Sequence, residues 1–439
     1  MENYTLPNID LLTDATGVAD NGDAMREKQK SLLINQLANF NIEGDMTEVH
    51  PGPLVTQFEF KPAKGIKASQ VAALSDELAM ALKADKIRVV APIPGKATVG
   101  IEVPSESPEI IWLKEIIQSE NFDKGDIPIA LGKTIDGTPI SFDLATAPHL
   151  LVAGQTGAGK SVAVNTILIS ILLTKTPEEV QLVLIDPKKV ELLPFKNVPH
   201  LSTPVITEAD DAVKALDAVA VEMDERYNLL AEKGVRNIQS FNEGEDKMPF
   251  MIVVIDELAD LMMTSGKEVE HHIVRIAQKA RAVGIHLVLT TQRPSTDVIT
   301  GIIKANVPSR MGFRTASNVD SRTIMDAGGC EKLVGRGDML FKAATDPVPE
   351  RIHGCYAEYN DIDAIAKACA SQEKPVFTTP SVKNSDSVEN DPALRDAIDL
   401  IEKHDVASTS FVQRNLGISY ERATKIMQQV EKLGIIKKV

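Results

Sequence analysis

Between residues 149 and 315 the apolar positions come in short unbroken runs instead of alternating with polar ones. HLLVAG from His149, VQLVLIDP from Val180, FMIVVIDE from Phe250, IHLVLTTQ from Ile285 and SRMGFRT from Ser309 alternate with helical patterns. A strand that is apolar at successive positions has helices over both faces, so these runs predict a parallel sheet in a three-layer α/β domain covering residues 111–375. Residues 1–110 read as a small α+β unit. A helical pattern from Met25 to Phe40 precedes a strand from Leu54 to Phe60, a helix from Ser69 to Leu82, and the strands KIRVVAP and ATVGIEVP, which meet across the Pro-Ile-Pro-Gly turn at 92–95. No cluster of reactive side chains occurs there, and the unit reads as an assembly domain.

Periodicity stops at 376–391, where Ser, Thr, Asn, Asp and Pro dominate, and the segment reads as a flexible linker. It resumes in residues 392–439. A helix from Thr409 to Leu416 meets a turn at Gly417, Ser419 caps a second helix, and Tyr420, Ala423, Ile426, Met427, Val430 and Leu433 make that helix's apolar stripe. Helix, glycine turn, helix is a helix-turn-helix pattern, with KLGIIKKV as a short basic wing. Its polar face presents Glu421, Arg422 and Lys425 toward a major groove, and Arg414 lies on the preceding helix. A helical protein-docking module is the other reading of this tail.

At 439 residues the chain exceeds what one core organises, in keeping with several domains. Its runs IIWL, ILISILL and FMIVVI are far shorter than the roughly 20 residues that cross a bilayer, so the polypeptide reads as cytoplasmic. Cys330, Cys355 and Cys369 lack metal-ligand spacing and read as free thiols. The net charge of −15 excludes indiscriminate nucleic-acid binding over the whole surface. Beyond Val406, however, six basic residues stand against two acidic ones, a local patch suited to DNA.

The candidate chemistry begins where the first run ends. Gly154, Gln155, Thr156, Gly157, Ala158, Gly159, Lys160, Ser161 and Val162 hold the spacing G-x-x-x-x-G-K-S between a strand and a helix. In such a loop backbone N–H groups surround phosphate oxygens, the lysine reaches the β and γ phosphates, and the serine hydroxyl ligates Mg²⁺. ATP with Mg²⁺ is the implied ligand. The run FMIVVIDE ends in Asp256, a second Mg²⁺ ligand, and Glu257, a base or orienting group for water. Asp260, one turn on, reads as a cap or ion-pair partner. Gln292 closes the run IHLVLTTQ as a γ-phosphate sensor, and Arg281 and Arg310 are candidates for an arginine finger given to a neighbouring subunit.

Taken together, these segments resemble the motor portion of the FtsK/SpoIIIE family of bacterial DNA translocases. PGPLVTQFEFKPAKGIK and RVVAPIPGKATVGIEVP are similar to its first motor domain. PHLLVAGQTGAGKSVAVN, LIDPKKVEL, VIDELADLMM and ARAVGIHLVLTTQRPSTDVITGIIKANVPSR are similar to its RecA-like P-loop ATPase domain, and the tail to its winged-helix reader. The resemblance implies a homohexameric ring threaded by double-stranded DNA and driven by ATP during chromosome segregation and cell division. It also implies a tail that sets direction by reading DNA sequence and contacts a tyrosine recombinase. The family's membrane helices are absent here, so the expectation is an excised motor, anchored when whole in the inner membrane at the septum, or a soluble member. The reader's YERATK has Glu421 and Lys425 where the family's YNRAAR has Asn and Arg, leaving the sequence it reads open. A secretion-type ATPase moving protein and a nucleotide-timed DNA-binding protein are the competing functions.

Overall fold

The computed structural model describes residues 4–15, 22–346 and 348–377, and beyond these positions 394, 397–398, 400–401, 408–416, 423–424, 426–427 and 430. The chain divides into two compact units, Met1–Thr379 and Pro380–Val439.

In the first unit, the helix α1 (Asp23–Asn39) leads into the strands β1 (Gly44–Pro51) and β2 (Val55–Pro62). The short helices α2 (Ala68–Ala72) and α3 (Ser75–Leu82) then precede β3 (Arg88–Val90) and β4 (Val99–Pro104). All pairings are antiparallel, in the order β1-β2-β4-β3. Leu33 and Leu37 of α1 and Leu78 of α3 pack with Phe58, Phe60 and Ile101 of the sheet. The expected helix from Ser69 to Leu82 is broken at Ala73–Leu74. Strand β1 was not expected: its sequence, GDMTEVHP, has no fully buried position, because it is a polar edge strand whose pairing comes from β2.

After α4 (Leu113–Ile117), β5 (Pro128–Thr134) and β6 (Pro139–Asp143) come β7 (His149–Ala153), α5 (Lys160–Thr174) and β8 (Val180–Ile185). These are followed by α6 (Ala209–Lys233), α7 (Ile238–Asn242), β9 (Phe250–Ile255), α8 (Leu258–Lys279), β10 (Ile285–Thr291), α9 (Gly301–Asn306) and β11 (Ser309–Phe313). The unit closes with α10 (Asn318–Met325), β12 (Asp338–Lys342), β13 (Glu350–Gly354) and α11 (Tyr359–Ala370). Nine strands form one sheet in the order β6-β5-β13-β12-β11-β7-β10-β9-β8. The five apolar runs are its parallel half, β11-β7-β10-β9-β8, and β7, β9, β10 and β11 are buried at every position. The other four strands are antiparallel and carry polar residues such as those of ERIHG, which gave no comparable signal.

The connections place the site. From β7 the chain runs across the sheet to β8, then steps back through β9 and β10 and passes β7 to reach β11. Right-handed crossovers therefore put α5 on one face and α6, α8 and α9 on the other. The contacts agree, since α5 meets α11 while α8 meets both α6 and α9. Adjacent strands β7 and β10 thus send their chains to opposite faces, and the crevice beyond their carboxyl ends is the topological switch point, where α/β sheets bind ligands.

In the second unit, α12 (Thr409–Leu416) coincides with the expected first helix of the tail. Leu394, Ala397, Ile401 and Val412 form a core with Ala423, Ile426, Met427 and Val430, four positions of the expected apolar stripe. Among the described residues no helix is long and apolar enough to cross a membrane.

Candidate active site

The loop between β7 and α5 sits at the switch point. Gly159 caps α5 with φ +116°, and a Cβ there would lie 2.6 Å from the Gly337 nitrogen, so only glycine lets the loop lie against residues 334–337. The Gly337 N–H donates to Ala158 O at 2.9 Å, and the Gln155 N–H donates to Arg314 O at 2.9 Å. The loop is therefore held by β11 and by the chain entering β12.

Lys160 is buried. Its ammonium donates to Asp256 O (2.7 Å), Asp256 Oδ1 (3.0 Å) and Thr290 Oγ1 (2.8 Å), tying α5 to the ends of β9 and β10. Ser161 Oγ donates to Glu191 Oε1 at 2.8 Å. Asp256 is fully buried and its Oδ2 has no hydrogen-bond partner. Burial raises its carboxyl above the ordinary range, with Asp186 and Glu191 adding to the shift and Lys160 opposing it. An orphaned buried carboxylate oxygen on a residue already bonded to the P-loop lysine is the ligand expected of an Mg²⁺ site, so Ser161 and Asp256 fit that ion.

Glu257 is also buried. Burial alone would raise its carboxyl, but hydrogen bonds from Lys188 and Thr291 outweigh that and hold it below its usual value. Lys188 Nζ lies 2.8 Å from Oε2, Thr291 Oγ1 donates at 2.6 Å to Oε1, and the Gln292 N–H lies 3.1 Å from Oε1. The Gln292 side chain accepts from the P-loop's Thr156 Oγ1 at 2.8 Å, so β10 is linked to both the loop and the acid. The structure thus brings together Lys160, Ser161, Asp256, Glu257 and Gln292. Asp260 lies in the first turn of α8.

The two arginines are placed differently. Arg281 is exposed, before β10, where its Nη2 donates to Thr146 O at 3.3 Å ahead of β7. It stands at the opposite end of the sheet from Lys160, a strand length of roughly 20 Å away. Arg310 is buried and held by its own chain, donating to Ile324 O (3.1 Å), Lys304 O (3.2 Å) and the Asp326 carboxylate. In the tail, Arg414 is exposed and its Nε donates to Ser410 O, while Glu421, Arg422 and Lys425 lie outside the described residues.

Lys188, Glu191, Asp186, Thr290 and Thr291 were not singled out from the sequence. One signal was present: VQLVLID ends in an acid as FMIVVID does, and Ile185 pairs with Ile255, setting Asp186 beside Asp256 at neighbouring strand ends. Cys330, Cys355 and Cys369 are buried free thiols, as expected.

Similarity to known proteins runs along the whole chain. Residues 112–296 match the model of the FtsK/SpoIIIE family, 6–105 the FtsK alpha domain, and 388–438 the FtsK gamma domain, which is a winged helix. The DNA translocase FtsK of Clostridium tetani is 44% identical over 99% of this chain and 61% of its own length. The DNA translocase SftA of Bacillus subtilis is 44% identical over 99% of this chain and 47% of its own. The chain therefore spans about half to three-fifths of these relatives. Among solved structures, the pCW3 conjugation coupling protein TcpA, determined with ATPγS, matches with TM-score 0.54 and 26% identity, covering 77% of this chain and 99% of that one. The type VII secretion ATPase EccC of Thermomonospora curvata also matches with TM-score 0.54, at 23% identity over 61% of this chain and 35% of that one, a likeness of fold. The large sheet is that of a RecA-like P-loop ATPase.

Proposed function

Because the chain belongs to the FtsK/SpoIIIE family, we propose that it is the motor portion of an ATP-driven translocase of double-stranded DNA. The observation that carries this reading is the convergence on Lys160. One ammonium joins the P-loop helix to Asp256 and Thr290, with Glu257 and Gln292 on the same two strand ends. In this reading the P-loop amides and Lys160 bind the ATP phosphates, and Ser161 and Asp256 hold Mg²⁺, which neutralises charge on the phosphate oxygens when bound. Glu257, ionised at neutral pH, orients or deprotonates the attacking water. Gln292, bonded to Thr156, reports the phosphate state to the chain beyond β10.

Arg281 is assigned the finger. Its place at the far end of the sheet from its own P-loop supports action on another subunit's nucleotide, as in a ring of identical copies, six by resemblance to the family. Arg310 is too committed to its own chain to serve. The tail, through Arg414, Glu421, Arg422 and Lys425, is assigned the reading of DNA sequence that orients the motor in chromosome segregation, and contact with a tyrosine recombinase. By resemblance to the family, the whole protein is assigned to the inner membrane at the septum.

Displacement of the third strand from a linear triplex tests the motor. Wild type with ATP is expected to displace it and Lys160→Ala is not. Intact DNA binding and ATP turnover without displacement would refute translocation, in favour of a nucleotide-timed DNA binder or a protein-moving ATPase.

A further inference from the structure

The P-loop serine is the starting point. A hydroxyl has one proton and two lone pairs, so an oxygen that faces a cation must send its proton elsewhere. Here that place is filled: Ser161 Oγ donates to Glu191 Oε1 at 2.8 Å. Glu191 is itself fixed by its neighbours. Asp186 Oδ2 accepts from the N–H groups of Val190 (2.9 Å) and Leu192 (3.0 Å), the residues on either side of it. Asp186 in turn ends β8 beside Asp256 at the end of β9, since Ile185 and Ile255 pair.

The charges at this corner do not balance. Asp186, Glu191, Asp256 and Glu257 face two cations among the described residues, Lys160 on Asp256 and Lys188 on Glu257. Asp186 and Asp256 are both fully buried, and Asp186 Oδ1 and Asp256 Oδ2 lack hydrogen-bond partners. Two orphaned carboxylate oxygens with surplus negative charge call for a divalent cation. The three acids are not packed tightly enough for all to bind one ion directly; among the described residues the one such close set is Glu48, His50 and Glu59, elsewhere. Mg²⁺ keeps several of its waters, so carboxylates standing back from it act through water or through a ligand.

We propose that Glu191 is a positioning residue for the cation of the bound nucleotide: it accepts the Ser161 hydrogen bond, turns that oxygen's lone pairs toward the ion, and adds negative charge to the ion's outer shell. This rests on the nucleotide reading of the P-loop. Asp186 fixes the peptide that presents Glu191, so the segment 186–192 belongs to the metal site although it supplies no direct ligand. Partners of this kind fix a ligand's orientation and raise its basicity, and their loss typically weakens metal binding about 10- to 100-fold.

The test is a Mn²⁺ titration, read by electron paramagnetic resonance, of the full chain saturated with a non-hydrolysable ATP analogue. Glu191→Ala is expected to weaken Mn²⁺ binding about 10- to 100-fold and Glu191→Gln, of nearly the same shape, by an intermediate factor. Both variants are expected to keep the wild-type circular dichroism spectrum and to bind the analogue in EDTA at least as well as wild type, which shows them folded. In a Ser161→Ala background the Glu191→Gln change is expected to lose most of its effect. Mn²⁺ affinity within about threefold of wild type in the Gln variant, or full additivity with Ser161→Ala, overturns the proposal. Absence of any nucleotide-dependent Mn²⁺ site in wild type would refute the nucleotide reading itself.

Discussion

Replacing Arg351 by Met tests whether the small sheet is tied electrostatically to the P-loop. Arg351 of β13 lies between two carboxylates, all three nearly fully buried. Its Nη2 is 2.6 Å from Asp338 Oδ2 and its Nε donates to Asp338 Oδ1 at 2.9 Å, while its Nη1 meets Glu102 of β4, the acid that also takes Arg88 at 2.8 Å. Asp338 Oδ2 accepts the Val334 N–H (2.7 Å), and Gly337 of the same turn donates to Ala158 in the P-loop. The path from the four-stranded sheet to the phosphate loop is thus one ion network, one backbone-to-side-chain hydrogen bond and one backbone hydrogen bond long.

A buried ion network is worth little against an apolar equivalent, but removing one partner strands the others, at about 3–5 kcal/mol. With an unfolding entropy of about 2.1 cal/mol/K per residue, a unit of 379 residues changes its midpoint by 1 °C for about 0.8 kcal/mol. Arg351→Met should therefore lower the calorimetric midpoint by about 4–6 °C at pH 8. Burial alone would raise the Glu102 carboxyl, but Arg88 and Arg351 hold it below its usual value. Without Arg351 its folded-state affinity for a proton rises, so the variant's deficit should shrink between pH 8 and pH 5. Adding Glu102→Gln removes the stranded charge and should restore part of the loss. A midpoint shift under about 1 °C, or a double variant as unstable as the sum of the two single changes, would refute the reasoning.

Lys160→Ala and Asp256→Ala should each cut ATP turnover, measured by phosphate release, by well over tenfold while the circular dichroism spectrum is retained; turnover within about tenfold of wild type would sink the site assignment. Arg281→Ala and Lys160→Ala proteins, each inactive alone, should regain partial activity when mixed, since a Lys160→Ala subunit still offers its arginine to an intact P-loop; equal inactivity of the mixture would count against a finger acting between subunits. Burial depresses His149 to a pKa of about 3 and His200 and His286 to about 4. Unfolded histidines titrate near 6.5, so the stability these neutral rings contribute is present above that pH and lost as pH falls toward 4, by about 2 kcal/mol apiece at pH 5. Denaturant midpoints that match at pH 7 and pH 5 would show these rings to be accessible to protons in the folded protein.

What the sequence disclosed and what it hid divide along physical lines. The five parallel strands were legible because burial on both faces gives them consecutive apolar residues with few polar ones between, and the P-loop because its chemistry is confined to nine consecutive residues. Strand β1 and the antiparallel strands β5, β6, β12 and β13 were not, because polar residues in them are matched by partners far away in the chain, as Arg351 of β13 is by Glu102. The same holds within the site. Lys160, Asp256 and Glu257 stand out because strand ends and helix starts mark them locally, whereas Glu191 reaches Ser161 across 30 residues and Lys188 reaches Glu257 across 69. Those two contacts exist because β8 lies beside β9 in register, and no pattern in DPKKVEL states which strand will be its neighbour. Arg281 and Arg310 show the converse. Both follow breaks in periodicity and look alike in sequence, and only burial distinguishes an arginine locked onto Ile324, Lys304 and Asp326 from one exposed at the end of the sheet away from Lys160.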